Sequence, residues 1–104
     1  MKISNSELGQ YIRNLRIQKN LTLHQLSKEV DIDSPMLSKI ERGERLPTPE
    51  QIKKIAKHFK VPENNLRSKL TAEKILREYG ANEVTLDAIS IVKEEIVKYV
   101  KSKK

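Results

Sequence analysis

Between Leu21 and Arg45 the apolar residues fall into two short helical sets, first Leu23, Leu26 and Val30, then Met36, Leu37 and Ile40. Only Asp31, Ile32 and Asp33 separate them, a stretch too short for anything but a tight turn. Two helices joined so closely must cross, and small, half-buried Ser27 suits the crossing point. Thr22 offers its hydroxyl to the exposed amides of the first helix, and Asp31 is a residue able to take the left-handed conformation in the turn. Asp33 or Ser34 caps the second helix, Pro35 fits a first turn that needs no amide hydrogen, and Gly43 stands at the C-terminal cap.

The same punctuation divides the rest of the chain. Ser6 is a fair N-cap for a helix carrying Leu8, Ile12 and Leu15 on one face. After Pro47, Thr48 caps a fourth helix running to about Phe59, with Ile52, Ile55, Ala56 and Phe59 on one side. Val61 and Pro62 break the chain, and a short fifth helix with Leu66 and Leu70 closes a bundle. Beyond it the pattern predicts a hairpin: Thr71 to Tyr79, a turn from Gly80 to Val84, then Thr85 to about Lys101, with Lys101, Ser102, Lys103 and Lys104 as a frayed basic tail. The expected fold is all-α, a five-helix bundle followed by a C-terminal two-helix hairpin, with domains over residues 1–69 and 70–104.

Composition narrows the function. A 104-residue chain with 37% hydrophobic residues, three Tyr, one Phe and no Trp suits a thin aliphatic core. Lysine and arginine outnumber acids by 21 to 14, so the +7 net charge favours a polyanionic partner. The absence of cysteine removes disulfides, thiolate metal sites and a cysteine nucleophile, and suits a reducing cytoplasm. No run is long enough to span a bilayer, and Ser4, Asn5, Ser6 and Glu7 interrupt any secretion signal, so the expected location is cytoplasmic. His24 and His58 lack partners at ligand spacing. Asp31 and Asp33 belong to a turn and a cap, and Glu94 and Glu95 to a charged helix face, so neither pair suggests acid-base work. With no nucleophile or phosphate-cradling glycine loop, the chain is not expected to be an enzyme, and no metal or cofactor is expected.

The run from Leu21 to Arg45, above all Leu37-Ser38-Lys39-Ile40-Glu41-Arg42-Gly43, resembles the lambda-repressor-like, Cro/C1-type (XRE) helix-turn-helix family. The likeness extends upstream over Leu8 to Gln18 and downstream from Pro49 to Leu66. It implies a transcriptional regulator, of repressor or restriction-modification controller type, with the segment Ser34 to Arg42 in the major groove of an operator duplex. Ser34, Pro35, Met36 and Lys39 match positions that reach bases, Lys39 being the long donor suited to guanine O6 and N7. Ser38, Arg42 and Arg45 are placed to grip phosphate. Leu23 stands where many relatives carry a phosphate-docking glutamine, so His24 or Gln25 must supply that contact. Arg16 and Glu41 match a structural salt bridge between the first helix and the end of the recognition helix.

Two plainer readings stand beside these: Lys39, Arg42 and Arg45 as an ordinary solvated basic face, and Met36 as core. The C-terminal stripe of Leu86, Ile89, Val92, Ile96, Tyr99 and Val100, widened by Ile91 and Val97, either packs within the chain or joins two copies. Tyr79 and Tyr99 anchor that surface or serve as core aromatics. The expected partners are an operator duplex and a second copy of the chain, with no small-molecule ligand. The alternative is an antitoxin or adaptor whose hairpin binds another protein, with DNA binding secondary.

Overall fold

The structure, a computed structural model, describes residues 6–103, so Met1 to Asn5, including the Ser4 and Asn5 weighed above, and Lys104 lie outside the described residues. Those residues form six helices: α1 (Glu7–Gln18), α2 (Leu23–Val30), α3 (Ser34–Glu41), α4 (Pro49–Phe59), α5 (Glu63–Tyr79) and α6 (Glu83–Ser102). Their starts follow from local chemistry. Ser6 accepts from the Gly9 amide, Asp33 from Met36, and Asn82 from Thr85. At Thr22 and Thr48 the cap is reciprocal: the hydroxyl accepts from the third helical amide, while the Gln25 or Gln51 side chain accepts from the cap's own N–H.

Four of the helices, α2 to α5, stop where the backbone turns left-handed. Asp31 has φ +53° and Lys60 φ +55°, and Gly43 and Gly80 have φ +77° and +88°. After Arg42 caps α3, the Gly43 amide donates to the Ile40 carbonyl at 3.1 Å and the Glu44 amide to Lys39 at 2.9 Å, the paired bonds of a Schellman ending.

Two compact units divide the chain, one ending at Lys74 and one beginning at Ile75, so the boundary falls inside α5. The first has one aliphatic core. Leu8, Ile12, Leu26, Leu37, Ile40, Ile52, Ile55 and Leu66 are fully enclosed, with Val30, Ile32, Ala56, Phe59 and Leu70 around them. Ile32 lies in the turn itself, so the connector between α2 and α3 is pinned into the core by its middle residue.

Two expected boundaries are corrected. The break after Leu70 does not exist, because residues 63–79 contain neither glycine nor proline, and the Thr71 hydroxyl donates back to the Arg67 carbonyl instead of capping a new helix. The last helix begins at Glu83, two residues before Thr85, because Asn82 is the better cap, and it continues through Lys101 and Ser102, which are not a frayed tail. In the second unit the end of α5 and the start of α6 are joined at Tyr79, whose carbonyl accepts from the Asn82 side-chain Nδ2 and the Thr85 hydroxyl. An open apolar cleft lies between these arms, lined by Ile75, Tyr79, Val84, Ala88, Ile89 and Val92.

Candidate nucleic-acid interface

α3 has two unlike faces. Leu37, Ile40 and Glu41 point inward and are buried, while Pro35, Lys39 and Arg42 are exposed. The interval from Pro35 to Lys39 is one helical turn, and Arg42 follows three residues later, so these exposed side chains form a ridge along the helix. Ser34 and Ser38 flank it, half-buried. Met36 is also half-buried and packs against the core, so its position is intermediate between the two readings considered above.

Two contacts hold this ridge in place from behind, and a third fixes the start of the helix that makes them. Arg16 on α1 grips Glu41 in a two-point fork, Nε to Oε2 at 2.7 Å and Nη2 to Oε1 at 2.9 Å. Its remaining arm donates to the Leu21 carbonyl at 2.8 Å, tying the α1–α2 connection into the same cluster. The Glu41 side chain is 3% exposed and that of Arg16 13%, so the pair is shielded from solvent screening. Hydrogen bonding to Glu41, opposed by desolvation and assisted by its charge, raises the Arg16 pKa above the ordinary arginine value.

Gly9 supplies the second contact. A Cβ there would lie 2.5 Å from the Ile40 carbonyl oxygen and 2.6 Å from that of Glu41, so α1 meets the end of α3 with backbone against backbone. Glu73 on α5 supplies the third. Its buried carboxylate accepts from the Leu8 amide at 2.8 Å and from the Ser6 hydroxyl, while Ser6 in turn caps Gly9. The N-terminus of α1 is therefore closed by an acid from the far end of the unit, a placement favoured by the helix dipole.

Around the ridge, His24 and Gln25 are exposed in the first turn of α2, and Arg45 is exposed in the loop after α3. The Gln25 amide oxygen is used by the capping box, accepting from Thr22 at 2.8 Å, so the NH2 group is the donor it could offer a phosphate. Arg42 carries an internal partner: its Nε donates to Glu44 Oε2 at 2.6 Å, with both side chains 55% exposed. Sequence reasoning missed Glu44, Glu73 and Gly9. Glu73 alone left a signal, since it continues the buried positions Leu66 and Leu70 at helical spacing where an apolar residue belongs.

Among the described residues no group of three or more His, Cys, Asp or Glu could hold a metal ion. No described helix is long and apolar enough to cross a membrane. In the second unit Leu86, Ile89, Val92, Ile96, Tyr99 and Val100 are all exposed, by 43% at Ile89 to 64% at Leu86, and Tyr79 is exposed as well. Neither tyrosine is a core aromatic, and α6 carries an apolar stripe without cover.

Comparison with known proteins agrees with this geometry. Residues 12–66 match the helix-turn-helix family model HTH_3. The HTH-type transcriptional regulator RghRB of Bacillus subtilis (strain 168) is 47% identical over 62 residues, 59% of this chain and 45% of that protein. The HTH-type transcriptional repressor RghR of the same organism is 37% identical over 62 residues, 59% of this chain and 46% of that protein. The matched stretch is thus about half the length of these curated relatives. Among solved structures, an HTH_3 family transcriptional regulator from Vibrio cholerae superposes with a TM-score of 0.54 at 28% identity, over 61% of this chain and 35% of that one. The clp gene regulator ClgR from Corynebacterium glutamicum covers 94% of this chain and 90% of its own at a TM-score of 0.55, and at 16% identity that likeness concerns the fold alone. With its two short crossed helices, inward clamp and outward ridge inside the matched segment, the chain belongs to the HTH_3 helix-turn-helix family.

Proposed function

We propose that this protein is a sequence-specific regulator of transcription that binds double-stranded DNA as a homodimer, with α3 in the major groove. The observation that carries the reading is the two-faced α3: a short helix clamped from behind by Arg16 and presenting Pro35, Lys39 and Arg42 outward. A groove about 12 Å wide admits one helix, and its side chains must project while its back is held. The names of the two Bacillus relatives, a transcriptional regulator and a transcriptional repressor, support the same class.

In this reading Lys39 reads a base edge, with Ser34, Pro35 and the exposed part of Met36 around it. Ser38, Arg42 and Arg45, with His24 and the Gln25 NH2 from the start of α2, hold the backbone. Because Pro35 offers no side-chain hydrogen bond, part of the sequence preference comes from DNA shape. The exposed stripe of α6 joins two copies, setting two α3 helices about one turn of DNA apart. The work is binding and not catalysis, and it needs no cofactor or small-molecule ligand.

The test is binding to selected and random duplexes across a salt series. A regulator keeps a large ratio between the two at physiological salt, whereas a coating protein shows a steep salt slope and no preferred sequence. Arg45→Ala should weaken binding to every duplex and flatten the salt slope by about one unit. An unchanged slope removes Arg45 from the phosphate contacts.

A further inference from the structure

Arg42 stands on the outward ridge of α3, yet its guanidinium is engaged within the chain. Nε donates to Glu44 Oε2 at 2.6 Å, and Nη2 reaches Oε1 at a longer 3.4 Å. The partner is held in position by the backbone. Glu44 is the residue whose amide closes the Schellman ending of α3 on the Lys39 carbonyl, after Gly43 has turned through φ +77°. Its backbone is thereby fixed beside the ridge, with the carboxylate in reach of Arg42.

A guanidinium recognises carboxylate and phosphate through the same planar fork. We infer that Glu44 is an internal stand-in for a DNA phosphate: its carboxylate occupies the Arg42 fork in the free protein and is displaced when a duplex backbone takes that place. The inference rests on the reading that the outward face of α3 meets DNA. Displacement releases Glu44 from its partner but not from the site, because its amide remains tied to Lys39. A carboxylate without its cation is then left well within a Debye length of the phosphates. Both side chains are half exposed, so the effect has the size of a surface ion pair. Glu44 thus sets a ceiling on how much Arg42 adds to affinity for any duplex, whatever its sequence.

The test is a double-mutant cycle on the full chain, read by fluorescence anisotropy with a random-sequence duplex of about two helical turns. A random duplex suffices because a phosphate contact does not depend on sequence. Glu44→Gln should tighten binding about two- to five-fold at low salt. In the Arg42→Gln background the same change should give a clearly smaller gain, the part that comes from charge alone, since the fork it would free is gone. Equal gains in both backgrounds would make Glu44 a mere negative charge near the duplex and overturn the inference, as would no gain in the wild-type background. Either result leaves the functional reading standing, provided the wild-type protein binds. Failure of the wild-type chain to bind any duplex overturns that reading and the inference with it. Thermal unfolding of each variant should give the wild-type midpoint, since both substitutions are at exposed side chains.

Discussion

Gly9 is under two opposed demands. A glycine inside a helix costs about 0.5 to 1 kcal/mol relative to alanine, so on propensity alone Gly9→Ala would stabilise α1. Yet the added methyl carbon would sit 2.5 Å from the Ile40 carbonyl oxygen, against backbone that cannot swing aside. Packing should win: Gly9→Ala is expected to destabilise the protein by about 1 to 3 kcal/mol, seen as a lower denaturant midpoint at unchanged slope. A higher midpoint would refute the close approach of α1 to α3. Arg16→Ala acts differently, leaving the Glu41 carboxylate buried without its partner, and should cost about 3 to 5 kcal/mol. Its loss of DNA binding should then track the unfolded fraction in a melting experiment. Because Glu41 raises the Arg16 pKa above its unfolded value, this stabilisation is complete below the ordinary arginine range and fades only as pH rises through the raised value. Arginine titration should therefore leave the Arg16 contribution unchanged between neutral and mildly alkaline pH.

At the scale of helices, legibility followed the range of the interaction. The caps at Ser6, Thr22 and Thr48, the left-handed Asp31 and the glycine ending α3 are governed by neighbours within a few residues, and they could be read from the chain alone. Glu73 could not be assigned in that way: its partners Ser6 and Leu8 lie 67 and 65 residues away, and only the folded unit brings them together. Ile32 was equally opaque, since a three-residue turn has no periodicity to mark a buried position. The change in pattern after Leu70 predicts a break there, but no glycine or proline enforces one and the helix runs on. For the candidate interface, the residues of α3 were legible through their resemblance to a family, and the Arg42–Glu44 fork was not, because side-chain geometry two residues apart leaves no pattern. The base-reading role proposed for Lys39 belongs to this scale as well. Lys39→Ala should weaken operator binding by about 1 to 3 kcal/mol and relax preference at one base position. A uniform loss over all sequences would reassign Lys39 to phosphate.

For the whole molecule, the continuity of α5 changes how the two units can be separated. A chain ended after Leu70 loses Glu73, leaving the Leu8 amide without its acceptor. It should be about 1 to 3 kcal/mol less stable than a chain ended after Tyr79, which keeps that bond. The longer truncation should stay folded, sediment as a monomer and bind its operator more weakly than the full chain, because the apolar stripe of α6 has been removed. Undiminished binding, or a dimer that persists, would assign the stripe to another partner.

The central claim is that the outward ridge of α3 reads base pairs, twice, about a symmetric site. Selection of bound duplexes from a random pool, run in parallel on the wild-type protein and Lys39→Ala, addresses it directly. The wild-type chain should enrich a palindrome whose half-sites lie about one helical turn or a multiple apart, and Lys39→Ala should lose preference at one position in each half. A pool that emerges without an enriched sequence, or an enriched motif untouched by Lys39→Ala, would contradict it.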